Sequence, residues 1–159
     1  MSRATTEVAL PAGQPILLDT TALIAYLNKG ELVSPVAAYI IDDLVRTGRN
    51  QAIVSMITVM EILVRPLRQG ASEAYQHIMD FVSNFPNLRL LNIDLDVAQE
   101  AASLRATYHF RPPDALIIAT GILAQVGHLV TNDDEWHKKL GTISDRIEVC
   151  RLEDHLPFS

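Results

Sequence analysis

Short apolar runs separated by long helical stretches constrain this chain more than any other feature. The runs are PILL at 15–18, AIV at 52–54, LRLL at 88–91, HLV at 128–130 and IEVC at 147–150. Each is too short for a helix and apolar on both faces, as a strand covered on two sides requires. Between them lie segments with helical spacing, at 20–28, 33–48, 57–64, 71–84, 95–108, 113–126 and 134–140. Gly48 is the expected stop of the second, and Pro66 the expected break of the third. A proline opens the segment at 113–126, which suits a first helical turn. Strands alternating with helices predict an α/β fold, a three-layer α/β/α sandwich around a short, mostly parallel sheet. No repeat, low-complexity run or linker divides the chain. Residues 15–155 are therefore expected as one domain, and residues 1–14 as a flexible arm before it.

Composition supports a folded core. Of 159 residues, 48% are hydrophobic and 20% charged, which excludes a disordered chain. The apolar runs are too short to cross a membrane, and MSRATTEVALPAGQ lacks the apolar stretch of a signal peptide. Cys150 is the lone cysteine, so no internal disulfide can form. A reducing, cytoplasmic setting is expected. The net charge of −6 argues at first against a nucleic-acid partner. If four acids belong to one cation site, however, the remainder is nearly neutral and leaves room for local basic patches.

In a parallel α/β sheet, ligands bind beyond the carboxyl ends of the strands. Asp19 follows the first strand in "ILLDTTALIAYL", and Asp133 follows the fourth in "HLVTNDDEW". Glu61 lies on the helix after the second strand in "SMITVMEILVRP", and Asp114 opens a helix in "RPPDALIIAT". Each has a plainer reading. Asp19 can cap a helix, Asp114 can answer a helix dipole, and Asp133 can make an Asx turn. Glu61, inside an apolar helix, can pair with Arg65 one turn on. Together the acids say more. Gathered carboxylates repel one another and resist ionisation, and a hard divalent cation such as Mg²⁺ or Mn²⁺ removes that penalty. One or two such ions at a phosphodiester can activate water and steady the leaving oxygen.

"LLNIDLDVA" has the Asp-x-Asp spacing of haloacid-dehalogenase-type phosphatases, with Asp94 as nucleophile. That motif normally begins its fold, and Asp94 more simply caps the helix near residue 95. There is no Gly-rich phosphate loop, zinc spacing or nucleophile elbow. The five histidines, at 77, 109, 128, 137 and 155, form no helical ligand pair, and His128 reads as structural.

The segments "LLDTTALIAYL", "SMITVMEIL" and "DALIIATGILAQVGHLVTND" resemble, in order and context, PIN-domain ribonucleases. They are most similar to the VapC-type toxins of bacterial type II toxin–antitoxin pairs. The resemblance spans residues 16 to 150. It implies a metal-dependent endoribonuclease with Asp19, Glu61, Asp114 and Asp133 as its acids, and Asp134 and Glu135 as alternatives for the fourth. It places the family hydroxyls on Thr21, where Ser is more usual, and on Thr131. The aromatic after the last motif is Trp136 rather than the commoner Phe. On this reading the four acids hold Mg²⁺ or Mn²⁺, Thr131 orients a carboxylate or water, and activated water attacks the phosphodiester in line. Cationic contacts to RNA are expected from Arg65, Arg68 and Arg111, with Arg105, Lys138 and Lys139 as further candidates. Single-stranded RNA or a structured loop is the expected substrate form. The apolar segments 33–48 and 71–84 either pack on the sheet or expose an interaction face. The resemblance implies a homodimer and a cognate antitoxin whose tail blocks the acidic cleft. A PIN-like module that binds RNA or a partner without cutting is the alternative.

Overall fold

The fold was obtained as a computed structural model, which describes residues 2–141, 143 and 145–159, with the side chains at positions 2 and 137 outside the description. Five strands form one sheet: β1 (Ile16–Leu18), β2 (Ala52–Ser55), β3 (Leu88–Leu91), β4 (His128–Thr131) and β5 (Glu148–Arg151). Their order is β3-β2-β1-β4-β5, and every pair is parallel. The register sets Leu17 beside Ile53 and Leu129, and Leu18 beside Val130.

Successive strand residues feed opposite cores, as the pleat requires. Ile16, Leu18, Val54, Val130 and Cys150 join one cluster. Leu17, Ile53 and Leu129 join the other. The first face is covered by α2 (Thr20–Asn28), α3 (Ser34–Ala38), α4 (Met56–Arg68) and α5 (Ser72–Asn84). The second is covered by α6 (Leu95–Tyr108), α7 (Pro112–Leu123) and α8 (Glu135–Leu140). This is the α/β/α sandwich expected from the sequence. The apolar residues of 33–48 and 71–84 that are buried pack into the first core, including Ile40, Ile41, Leu44, Ile78 and Phe81.

The structure differs from the sequence reading in three places. Residues 34–48 are not one α-helix: α3 passes into a π-helical segment, Tyr39–Val45, before the left-handed Gly48 at φ 84°. Pro66 does not end its helix, since α4 runs through it to Arg68. Residues 1–14, read as a flexible arm, contain a helix, α1 (Ser2–Ala9), that is tied to the domain. Thr6 and Leu10 are fully buried, Tyr39 Oη donates to Glu7 Oε1 at 2.5 Å, and Arg49 Nη1 donates to the Leu10 carbonyl at 2.6 Å. No described helix is long and apolar enough to cross a membrane.

Candidate active site

The chain leaves β1 for β2 on one side, and returns after β3 to place β4 on the other side of β1. The cleft beyond β1 and β4 is therefore the topological switch point, where open parallel sheets bind ligands. Asp19 and Thr131 meet there. Asp19 is 3% exposed, and its carboxylate is held from three directions. Oδ1 accepts from the Ala22 amide at 2.9 Å and from Thr21 Oγ1 at 2.8 Å. Oδ2 accepts from Thr131 Oγ1 at 2.5 Å. The same side chain thus caps α2 and faces the cleft.

Asp133 completes this pair. Its amide donates to Thr131 Oγ1 at 3.0 Å, and its Oδ1 accepts from the Glu135 amide at 3.0 Å, making an Asx turn. The Asn132 amide donates to Thr21 Oγ1 at 2.8 Å. Thr21 and Thr131 thus clamp the loop after β4 onto the start of α2. Burial is the largest influence on Asp19 and pushes its pKa from 3.8 up to about 6. The hydrogen bonds from Thr131, Ala22 and Thr21 pull it down, and the charge of Asp133 pushes it further up.

Glu61 approaches through Thr20, whose Oγ1 donates to Glu61 Oε1 at 2.6 Å. Ser55 starts α4 by accepting the Ile57 amide at 3.2 Å, which brings the helix in directly after β2. Glu61 and Arg65 line a cavity of about 250 Å³ with Ile24, Leu27, Ile62 and Ile78. Asp114 is 8% exposed in the first turn of α7, and its Oδ2 faces two cations. Lys139 Nζ stands at 2.9 Å and Arg111 Nε at 3.4 Å. Lys139 lies on α8, after β4, so Asp114 sits at the same edge of the sheet as Asp133.

The acids therefore occupy one edge but not one cluster. Asp19 and Asp133 act on each other, Glu61 joins through a threonine, and Asp114 is engaged by Lys139. Among the described residues, no three His, Cys, Asp or Glu side chains are gathered as a ready cage for a metal. The donor chemistry still fits a hard cation. All the candidate donors are oxygens, and Asn132, between Thr131 and Asp133 in the chain, has a buried Oδ1 without a hydrogen-bond partner. Mg²⁺ is usually held by one or two carboxylates, keeping several waters.

The alternatives for the fourth acid have cation neighbours of their own, and Glu135 shares Lys139 with Asp114. Asp134 pairs with Arg151, and Glu135 is a largely exposed neighbour of Lys139. Asp94 caps α6 by accepting from the Val97 amide at 3.0 Å, just after the edge strand β3. His128 opens β4, at the opposite end of that strand from Asp133, with Nε2 3.4 Å from Glu148. Two features of the site escaped the sequence reading: the Thr20 bridge to Glu61 and the Lys139 contact with Asp114. Adjacent hydroxyls at 20 and 21 could have signalled the first, but nothing local signalled the second.

A parallel sandwich with an anionic switch point describes a class of α/β domains, and sequence and fold comparisons narrow it. Residues 16–141 match the PIN domain family model, and the chain belongs to that family. It is similar to a toxin–antitoxin complex chain from Klebsiella pneumoniae, at 26% identity and TM-score 0.63, over 86% of this chain and 97% of that one. The Rickettsia felis VapBC2 structure, bound to a promoter DNA fragment, shares the fold at 18% identity and TM-score 0.66, over 86% and 97%. Mycobacterium tuberculosis VapC20, a sarcin-ricin loop cleaving toxin, shares it at 14% identity and TM-score 0.65, over 84% and 98%. No curated protein sequence matches the chain.

Proposed function

We propose that the protein is a divalent-cation-dependent endoribonuclease acting as the toxin of a toxin–antitoxin pair. The observation that carries this reading is Asp19. A carboxylate buried to 3% exposure beside a second acid, with its pKa pushed up to about 6, is costly to leave ionised without a cation.

Asp19, Asp133, Asp114 and Glu61 are the residues that would hold Mg²⁺ or Mn²⁺. When bound, such a cation lowers the pKa of water and offsets charge developing on phosphate. The protein's own part is positional. Thr131 fixes Asp19 Oδ2 and the Asp133 amide together, and Thr21 fixes Asp19 Oδ1 and the Asn132 amide. Thr20 fixes Glu61. Arg65, Arg68 and Arg111 lie near the acids in sequence and suit phosphate contacts. Arg111, with its side chain 77% exposed, is free to swing from Asp114 to an approaching strand.

The fold relatives that occur as toxin–antitoxin complexes support a protein partner for this chain. An antitoxin tail carrying Arg or Lys would complement the anionic cleft, and a homodimer is the proposed assembly. The decisive test is RNA cleavage with added Mg²⁺ or Mn²⁺ by the wild type, D19N and D114N, with the cut ends sequenced. Unchanged turnover in either variant refutes its role.

One observation favours the second reading, a PIN module that binds without cutting: Asp114 already carries a protein cation at 2.9 Å. Under that reading, varied RNAs bind and none is cut, whatever cation is added.

A further inference from the structure

Lys139 is not among the groups that would hold the cation, yet its ammonium is closely seated. Nζ lies 2.9 Å from Asp114 Oδ2, 3.5 Å from Glu135 Oε2 and 5.0 Å from the centre of the Trp136 ring. Trp136 is 2% exposed, so this ring is a fixed wall rather than a mobile contact. Indole offers a cation the strongest attraction of the aromatic faces. Spacing of three residues on α8 sets Trp136 and Lys139 on the same side of the helix. The lysine stem is covered as well: the side chain is 20% exposed, against 77% for Arg111, which reaches the same oxygen at a longer 3.4 Å. Arg111 is a loosely held second cation, whereas Lys139 is built in.

A lysine so placed conflicts with an incoming metal ion. Its ammonium already sits 2.9 Å from Asp114 Oδ2, and like charges so close repel strongly away from bulk water. Both cannot take that oxygen together. We propose that Lys139 is an internal counter-ion: it pairs with Asp114 and holds it in place in the metal-free protein, and yields when a divalent cation binds. Lys139 is then a positioning residue that sets the affinity of the site for its cation. The inference rests on the reading of Asp114 as a cation ligand.

Mn²⁺ binding measured by calorimetry, with melting in EDTA and in Mn²⁺, tests it on the wild type, K139M, K139R and D114N. K139M should bind Mn²⁺ about tenfold more tightly than the wild type, because a competitor is gone. It should melt lower than the wild type in EDTA and gain more from Mn²⁺, while K139R behaves as the wild type. K139Q drops the charge with less change in polarity and is read the same way, so a folding defect in K139M decides nothing. Equal affinity in the wild type and the uncharged variants, with D114N weakened, overturns the counter-ion role but leaves Asp114 a ligand. Mn²⁺ binding that D114N leaves untouched, or that no variant shows, overturns the cation reading of Asp114 and the inference with it.

Discussion

Asp19 carries two demands in one side chain. Oδ1 caps α2 and Oδ2 takes the Thr131 hydroxyl, so the helix start and the site cannot be separated by mutation alone. Protonation can separate them. The folded pKa, about 6, lies above the ordinary 3.8, so the native state binds this proton more tightly than the unfolded chain does. Its stabilising contribution is full below about pH 4 and is lost as pH rises through 6. At neutral pH without metal, the ionised, buried group costs about 3 kcal/mol. D19N should therefore melt about 5–10 °C above the wild type in EDTA at pH 7.5, with the gap closing near pH 4. It should also lose RNA cleavage. Equal melting at both pH values would show that Asp19 is not held ionised against its burial. T131V keeps the side-chain shape but removes the donor to Oδ2. It should shift the acid limb of the cleavage profile to higher pH and slow cleavage at pH 7 about tenfold.

At the scale of elements, α7 matters most because it carries Asp114. Gly121 lets this helix lie against β1. A Cβ there would stand 2.7 Å from Leu17 Cδ2 and 3.0 Å from Val126 Cγ2, both fixed in the core. Alanine would gain up to about 1 kcal/mol of helix propensity, but overpacking costs about 1–3 kcal/mol. G121A should therefore lower the melting temperature by a few degrees, and weaken Mn²⁺ binding if α7 shifts Asp114 with it. Full melting temperature with unchanged Mn²⁺ affinity would refute this packing argument.

Elements also show what the sequence could reveal. The inner strands were legible because they are apolar on both faces, the edge strands β3 and β5 because each is mostly apolar despite Arg89 and Glu148, and the acids because most fall just beyond strands or in the helices that follow. Pro66 misled because only two helical residues follow it. The Gln69 amide still reaches the Arg65 carbonyl at 3.0 Å, and the Ala71 amide reaches Pro66 at 2.9 Å, so little more than one hydrogen bond is lost. The π-helical segment was hidden because seven residues of apolar spacing do not distinguish its wider turn from an α-turn. The Lys139–Asp114 contact spans 25 positions, and a lysine in a polar stretch reads as a solvated charge.

On the scale of the whole molecule, the two edges of the sheet have separate tasks. The acids lie at the carboxyl edge. The amino edge is closed by the loop after α1, and α1 itself reaches on to the turn after β5; both precede the family match at residue 16. Asn50 Nδ2 donates to the carbonyls of Pro11 at 2.8 Å and Gln14 at 2.9 Å, just before β2. Arg49 reaches the carbonyls of Leu10 at 2.6 Å and Glu7 at 3.2 Å. Thr5 Oγ1 lies 3.2 Å from His155 Nδ1, which ties α1 to the turn after β5. Burying Leu10 alone is worth about 2–3 kcal/mol, and Arg49 and Tyr39 would lose partners besides. Deleting residues 2–10 should therefore lower the melting temperature by about 10 °C. R49A should lower it by a few degrees through the same contacts. Mn²⁺ affinity and the cleavage rate at 20 °C should stay near wild type, since these bonds tie α1 and its loop to Tyr39, Arg49, Asn50 and His155 rather than to the acids of the site. A truncated chain that melts like the wild type but no longer cuts RNA would reverse the assignment, making α1 a part of the substrate path rather than a brace on the sheet.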